Sequence, residues 1–252
     1  MFMDKKDVIS FFDSLADSWD SDMVKSDEII EKILKNSHFK EGQTVLDVAC
    51  GTGVMFDYYL SIGAKSIVGI DISPKMCEIA QEKYKGNSNV EVLCGDVTEY
   101  PFCEKFDLIV VYNAFPHFPD PEKLIKVLSC LLNEGGRLTV AHGEPRAKID
   151  ARHKGSASKV SVALMEAEEL AKLFSRFLQV EAVISDDTMY QVVGKSKYKN
   201  RQRETRCRFF VYWLNLLIIP LPSAYLIHSL SSAIFSLAIS TISSIVGLWL
   251  SR

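Results

Sequence analysis

Charge is missing from one long stretch of this sequence: the 42 residues 209–250 contain no Asp, Glu, Lys or Arg. Such a stretch is not a solvated helix or linker. Cysteine is scarce in pattern rather than number. Six are present, none forms a C-x-x-C pair, and neither a zinc knuckle nor a thioredoxin-type dithiol is encoded. Several lie in apolar runs, where a free thiol acts as a small hydrophobe, and a reducing, cytosolic setting is the simpler expectation. Thirteen Gly and eight Pro are too few for a collagenous or low-complexity chain. There is no internal repeat, and no His, Cys, Asp or Glu cluster has metal-ligand spacing, so no metal is expected. The opening MFMDKKDVISFFDSLADSWD carries acids and no apolar h-region, and does not read as a signal peptide.

With 252 residues, 48% hydrophobic and 24% charged, the chain suffices for a domain with a real core and is too apolar for disorder. The net charge of −3 hides two opposed parts. Seven basic residues against Glu204 fill 195–208, and with Arg252 the region from 195 onward totals +7. Residues 1–194 hold 21 Lys and Arg against 31 Asp and Glu, or −10.

Along the acidic part, short apolar runs alternate with helical patterns. Residues 1–38 read as helical, with Phe11, Phe12, Leu15 and Trp19 at helical spacing and a second helix over 26–35. Strands are expected at 44–49, 66–70, 90–93, 108–112 and 137–141, and helices at 54–62, from Ser73-Pro74 onward, and at 122–132. A hairpin of 179–183 with 189–194 closes the pattern. Strands such as VLDVA and LIVV are apolar on both faces, as in a parallel sheet covered by helices on each side. The expectation is an α/β, Rossmann-like doubly wound sheet, mostly parallel, with a C-terminal antiparallel hairpin.

The uncharged segment would be about 63 Å long as one helix, roughly twice the thickness of a bilayer core. It reads as an apolar helical hairpin of two spans, 209–227 and 230–250, with Trp213 and Trp249 near the outer ends and basic residues flanking both. The alternatives are a helical pair packed on the domain or one interfacial helix. Four regions result: helices at 1–40, an α/β domain at 41–197, a basic linker at 198–208 and a membrane hairpin at 209–250. The linker suits anionic lipid, making membrane lipid an expected partner and the membrane face in the cytoplasm the expected location.

The densest chemical signal is Val45-Leu46-Asp47-Val48-Ala49-Cys50-Gly51-Thr52-Gly53. A strand runs into a turn whose glycines let a ligand approach the backbone. Asp71, 18 residues after Gly53, ends the next strand, where a carboxylate can bind ribose hydroxyls. The pattern is not the dinucleotide G-x-G-x-x-G, and Asp47 beside the turn would repel a pyrophosphate but suit a cation.

In this combination the chain resembles the class I S-adenosylmethionine-dependent methyltransferases of the small-molecule type that includes quinone-biosynthesis enzymes. The resemblance covers about residues 5–194 and implies S-adenosyl-L-methionine as cofactor and a small-molecule methyl acceptor. It implies that Asp47, Ala49, Gly51 and Gly53 wrap the methionine part, with Ala49 where glycine is commoner. By the same resemblance Asp71 holds the ribose, Ile72 flanks the adenine, and Asp96 and Val97 of Cys94-Gly95-Asp96-Val97 accept from its amino group and cover its ring. Asn113-Ala114-Phe115 would line the methyl-transfer site, 132–136 (LNEGG) would form a turn after a helix, and Trp19, in a segment like the family's F-x-x-x-A-x-x-Y/W-D, would belong to a lid.

Methyl transfer requires alignment and, for an OH, NH or SH acceptor, removal of a proton. Candidate catalytic groups are His117, His142, Asn113 and, further along, His153. Residues 143–159 (GEPRAKIDARHKGSASK) are too polar for core. They read as a solvated connector, or as a loop whose Arg146, Arg152 and His153 recognise an anionic acceptor. Nucleic acid is not an expected partner, because the domain is acidic and its turn is NAFP rather than Pro-Pro-Tyr. The competing reading is a non-catalytic S-adenosylmethionine-binding module that is membrane-anchored and serves as an interaction partner or sensor.

Overall fold

The computed structural model describes residues 3–153 and 156–197. The expected linker at 198–208 and apolar hairpin at 209–250 lie outside the described residues. Among the described residues, no helix is long and apolar enough to cross a membrane.

Three helices precede the sheet: α1 (Lys5–Leu15), α2 (Trp19–Asp22) and α3 (Asp27–Asn36). Asp4 and Ser26 cap the first and third, each accepting a backbone N–H of the first turn that has no partner within the helix. The sheet then builds as β1 (Thr44–Val48), α4 (Phe56–Ile62), β2 (Ser66–Asp71), α5 (Pro74–Lys83), β3 (Val90–Cys94), β4 (Phe106–Tyr112), α6 (Pro121–Cys130) and β5 (Leu132–His142). It finishes with α7 (Arg146–His153), α8 (Ala167–Ser175), β6 (Leu178–Ser185) and β7 (Tyr190–Ser196). Ser73 and Asp120 cap α5 and α6, each followed by proline, whose fixed φ suits the first turn.

Strand order is β3-β2-β1-β4-β5-β7-β6. Strands β1 to β5 are parallel, and β7 lies antiparallel between β5 and β6. The doubly wound sheet with its closing hairpin is therefore as the alternation indicates. Strand period divides the core between the two faces. Leu46 and Val48 join Ile109, Val111 and Val140 under α6 and α8, whereas Val45 joins Ile67, Leu108 and Val110 under α3 and α4. Order reverses between β1 and β4, so a crevice opens there beyond the carboxyl ends of the strands.

Two local expectations need correction. The 132–136 segment is not a turn after a helix: α6 ends at Cys130 and β5 already pairs Leu132 with Phe106. The β4–β5 register shifts between Phe106 and Leu108, and Gly135 takes φ +73° there, so the glycines permit an irregular strand. Residues 143–159 are not a bare connector: α7 and a 3-10 turn at Ser156–Lys159 occupy them, with Ile149 and Ala157 buried. Helix α8 has no counterpart in the sequence reading. Its apolar face is only Ala167, Leu170 and Phe174, too short a stripe to stand out.

Candidate functional site

One cavity of about 720 Å³ occupies the crevice and gathers the motif residues. Trp19, Asp47, Ala49, Gly51, Asp71, Ile72, Asp96, Val97, Asn113 and His117 all line it. Its size is within the range of small-molecule and cofactor sites.

The floor is the turn after β1. Ala49 and Gly51 both take φ +55°, and Gly53 takes +81°. Gly53 does not line the cavity; a Cβ there would sit 2.7 Å from Tyr84 and 2.9 Å from Phe56, so its role is to let α4 and α5 close behind the turn. A Cβ on Gly51 would meet Trp19 Nε1 at 3.5 Å, on the cavity side.

Three carboxylates stand at the ends of β1 to β3. Asp47 is 2% exposed, on the face shared with Tyr59, and its Oδ2 has no hydrogen-bond partner. Burial drives its carboxyl well above the usual range; the nearby Tyr59 hydroxyl offsets this in part and the Asp71 charge adds to it. A buried, under-satisfied carboxylate facing a cavity stabilises a cationic ligand group. Asp71, also buried, accepts Gly51 N–H and Ser73 N–H at 2.8 Å each, one on each oxygen. Burial raises its carboxyl, and these backbone donors restrain the rise. Each oxygen keeps a second lone pair for a hydroxyl donor. Asp96 accepts both the N–H and the hydroxyl of Thr98 at 2.8 Å, and its Oδ2 meets Lys5 Nζ at 2.5 Å. Burial alone would raise this carboxyl, but Lys5 and Thr98 outweigh it and hold it low. These features fit S-adenosylmethionine on the structure's own terms: an orphaned buried carboxylate for the ammonium, a glycine turn without side-chain obstruction, and strand-end acids for hydroxyls and an amine.

The roof is α1 and α2. Phe12 packs edge-on against Trp19 and His117, with centroids 5.8 and 4.9 Å apart. Polar contacts fix the roof at three places. Lys5 reaches Asp96 and Glu99; Asp13 accepts from Ser73 Oγ at 2.5 Å and Lys75 N–H at 3.2 Å; Asp20 accepts from Thr52 Oγ1 at 2.5 Å and pairs with Lys83 at 2.6 Å. Each lands on or beside a cavity loop. Sequence reasoning singled out neither Lys5 nor Asp13, and met Asp20 only as the last residue of the lid-like segment, because charges on an amphipathic helix read as its solvent face.

The candidate catalytic groups separate. His117 lines the cavity, and its Nδ1 lies 2.7 Å from the Val160 carbonyl. A carbonyl only accepts, so Nδ1 carries the proton and, in the neutral ring, Nε2 carries the lone pair. Asn113 lines the cavity at φ +54°, and its Oδ1 accepts Gly143 N–H at 3.0 Å, pinning the end of β5. His142 is 2% exposed, packs edge-on to Tyr190 and does not line the cavity, which removes it from the reacting edge. Arg146 also faces elsewhere, bonding the Leu164 carbonyl, Asp150 and Glu166. Arg152 does line the cavity, with Glu144 and Lys148, which the sequence reading did not single out. Tyr112, likewise unforeseen, lines the cavity, and burial pushes its phenol up to about 12. Among the described residues, no group of three His, Cys, Asp or Glu could hold a metal ion.

Comparison with known proteins agrees with this geometry. Residues 45–136 match the family described as a methyltransferase domain. An uncharacterized methyltransferase of Schizosaccharomyces pombe is 29% identical over 205 residues, 69% of this chain and 69% of its own length. A ubiquinone biosynthesis O-methyltransferase of Coxiella burnetii is 27% identical over 143 residues, and the match spans 54% of this chain and 61% of that enzyme. Among solved structures, the N-methyltransferase NodS of Bradyrhizobium japonicum, in complex with S-adenosyl-L-homocysteine, superposes with a TM-score of 0.59 at 18% identity, over 77% of this chain and 99% of NodS. At that identity the likeness is one of fold.

Proposed function

We propose that this chain is a class I S-adenosylmethionine-dependent methyltransferase, a reading supported by the methyltransferase-domain match over residues 45–136, and that it transfers the methyl group of S-adenosylmethionine to a small, apolar acceptor inside the crevice between β1 and β4. The observation that carries this reading is the convergence of Asp47, Asp71 and Asp96 on one roofed cavity. Bound there, the cofactor supplies a methyl group already activated by a sulfonium.

The chain's own residues then bind, orient and exclude water. Asp47 pairs with the cofactor ammonium, and its buried setting makes the pairing strong because little water screens it. Asp71 and Asp96 take the ribose hydroxyls and the adenine amine, with Ile72 and Val97 on the ring. The roof carrying Phe12 and Trp19 keeps water from the reacting groups. Asn113 fixes the edge against which the acceptor lies. For an acceptor that must lose a proton, His117 Nε2 is the base, with its tautomer set by Val160.

Quinone-type relatives favour an acceptor with an apolar ring. We extend the proposal to the uncharged 209–250 segment as a membrane hairpin, with the basic run against anionic lipid and the domain on the cytoplasmic face. Calorimetric titration with S-adenosylmethionine tests the reading at its base. Asp71→Ala is expected to weaken binding at least tenfold, about 1.4 kcal/mol; unchanged affinity removes the ribose assignment.

A further inference from the structure

Helix α7 brings a row of charges to the cavity wall: Glu144 just before it, then Lys148 and Arg152 at successive four-residue steps. At that spacing the three share one helical face. Glu144 is largely covered, at 18% side-chain exposure, and each of its oxygens is engaged, Oε1 by Lys148 at 2.6 Å and Oε2 by Arg152. The next row, at Ile149, is buried in the core, so α7 is fixed in rotation with its charged row toward the cavity. Glu144 follows Gly143, whose N–H is held by Asn113, so the row begins at the edge proposed for methyl transfer.

The charge balance of this row differs from that of the rest of the lining. Lys5 is matched by Asp96 and Glu99. Lys123 lies 3.7 Å from Glu99. Lys5 and Lys123 share Glu99, but Lys5 is also held by Asp96 and Lys123 is only loosely engaged, whereas at α7 two lining cations share the one carboxylate of Glu144. Glu144, with both oxygens paired, has little to offer a cationic acceptor. Lys148 and Arg152 each carry several N–H donors, of which Glu144 takes only part. The same cavity also has apolar lining, including Phe11, Leu15, Met23 and Val24, and Val24 is 86% exposed.

We infer that Lys148 and Arg152, preset by Glu144, form an anion subsite for the methyl acceptor, which is therefore an apolar molecule bearing an acidic group. The inference rests on the methyltransferase reading of the same cavity and goes beyond it by naming the acceptor's charge and the residues that select it. Arg146, the other candidate cation of this segment, belongs to the Leu164–Glu166 side and takes no part.

The test uses two probes that differ only in charge, naphthalene-2-carboxylate and naphthalene-2-carboxamide, bound to the full chain saturated with S-adenosylhomocysteine and followed by saturation-transfer NMR. The carboxylate is expected to bind about tenfold more tightly, a preference that weakens as salt is raised. Lys148→Gln with Arg152→Gln abolishes the preference, and Glu144→Gln, which releases both cations, increases it. These opposite directions separate a charge-selecting role from mere disturbance of α7. Equal affinities in the wild type overturn the inference, as does binding of neither probe while S-adenosylhomocysteine binds. Failure of S-adenosylhomocysteine itself to bind overturns the methyltransferase reading instead.

Discussion

Ala49 and Gly53 sit four residues apart in one turn and answer to different constraints. Ala49 holds φ +55°, a conformation that costs an L-residue about 1–2 kcal/mol and glycine almost nothing. Ala49→Gly is expected to keep the fold and raise stability by up to about 1 kcal/mol, after allowance for the freer unfolded chain, as read by chemical denaturation. Gly53→Ala is expected to lose at least about 2 kcal/mol, because strain is joined by a clash with the ring of Phe56. Asp47 gives a second prediction at this scale. Burial favours its neutral form and a bound cation favours the ionised one, so S-adenosylmethionine affinity should rise with pH through the raised Asp47 value. Asp47→Asn should flatten that dependence and weaken binding; an unaltered pH profile by calorimetry would separate Asp47 from the ammonium. These residues were legible in the sequence because strand, glycines and acid are contiguous there. His142 was misleading for a local reason: alternation along β5 turns it away from the cavity, against Tyr190, and one residue of register decides between the two faces.

Among the elements, the roof formed by α1 and α2 is held by long side chains across part-exposed ion pairs rather than by a large apolar face. The carboxyls of Asp20 and Asp96 are held below their ordinary 3.8 by Lys83, Thr52, Lys5 and Thr98 despite burial, and Lys5 is held above 10.5 by Asp96 and Glu99. A lowered carboxyl contributes stability above the ordinary carboxylate range and loses it as pH falls through the native value; a raised lysine contributes below its ordinary value and loses it above the native one. The roof should therefore be fully attached between about pH 4 and pH 10.5, and loosen on acidification or at high salt. Hydrogen exchange of the α1 amides checks this: the double variant Lys5→Gln, Asp20→Asn should lose protection in α1 while β1 and β4 keep theirs. Protection unchanged in α1 would show that its apolar contacts suffice. The periodicity of α1 was plain in sequence, but the three polar attachments of the roof, two from α1 and one from α2, were not, since each partner lies 32 to 91 residues away along the chain. Helices α7 and α8 escaped for the opposite reason: each is short, α7 with the single buried apolar residue Ile149 and α8 with three, and only the sheet beneath makes them amphipathic.

At the scale of the molecule, the described domain is tied together by one buried polar node. Gln191 on β7 donates to the Ile33 carbonyl, Ser37 Oγ and Thr139 Oγ1, and accepts from Asn36 at 2.9 Å. It joins α3 to the hairpin and to β5. Gln191→Leu should cost about 1–3 kcal/mol, from partners left buried and unsatisfied, measured as a shift in denaturation midpoint with unchanged slope. The alternating pattern made the sheet readable, yet nothing local in the sequence joins residues 36 and 191. The opposed charges, −10 up to residue 194 and +7 beyond, carry the proposed division between a catalytic domain and a membrane attachment. Full-length protein should remain with membranes through a high-salt wash; release by salt would reduce the attachment to the basic run alone.

The central claim is that the roofed cavity between β1 and β4 consumes S-adenosylmethionine. The most direct measurement incubates the full chain with methyl-labelled S-adenosylmethionine and a cell extract separated into lipid-soluble and aqueous small molecules. The account predicts label in a small apolar product, with S-adenosylhomocysteine formed in equal amount and both lost in Asp47→Asn. Cofactor that binds but yields no labelled small molecule from either fraction would contradict it.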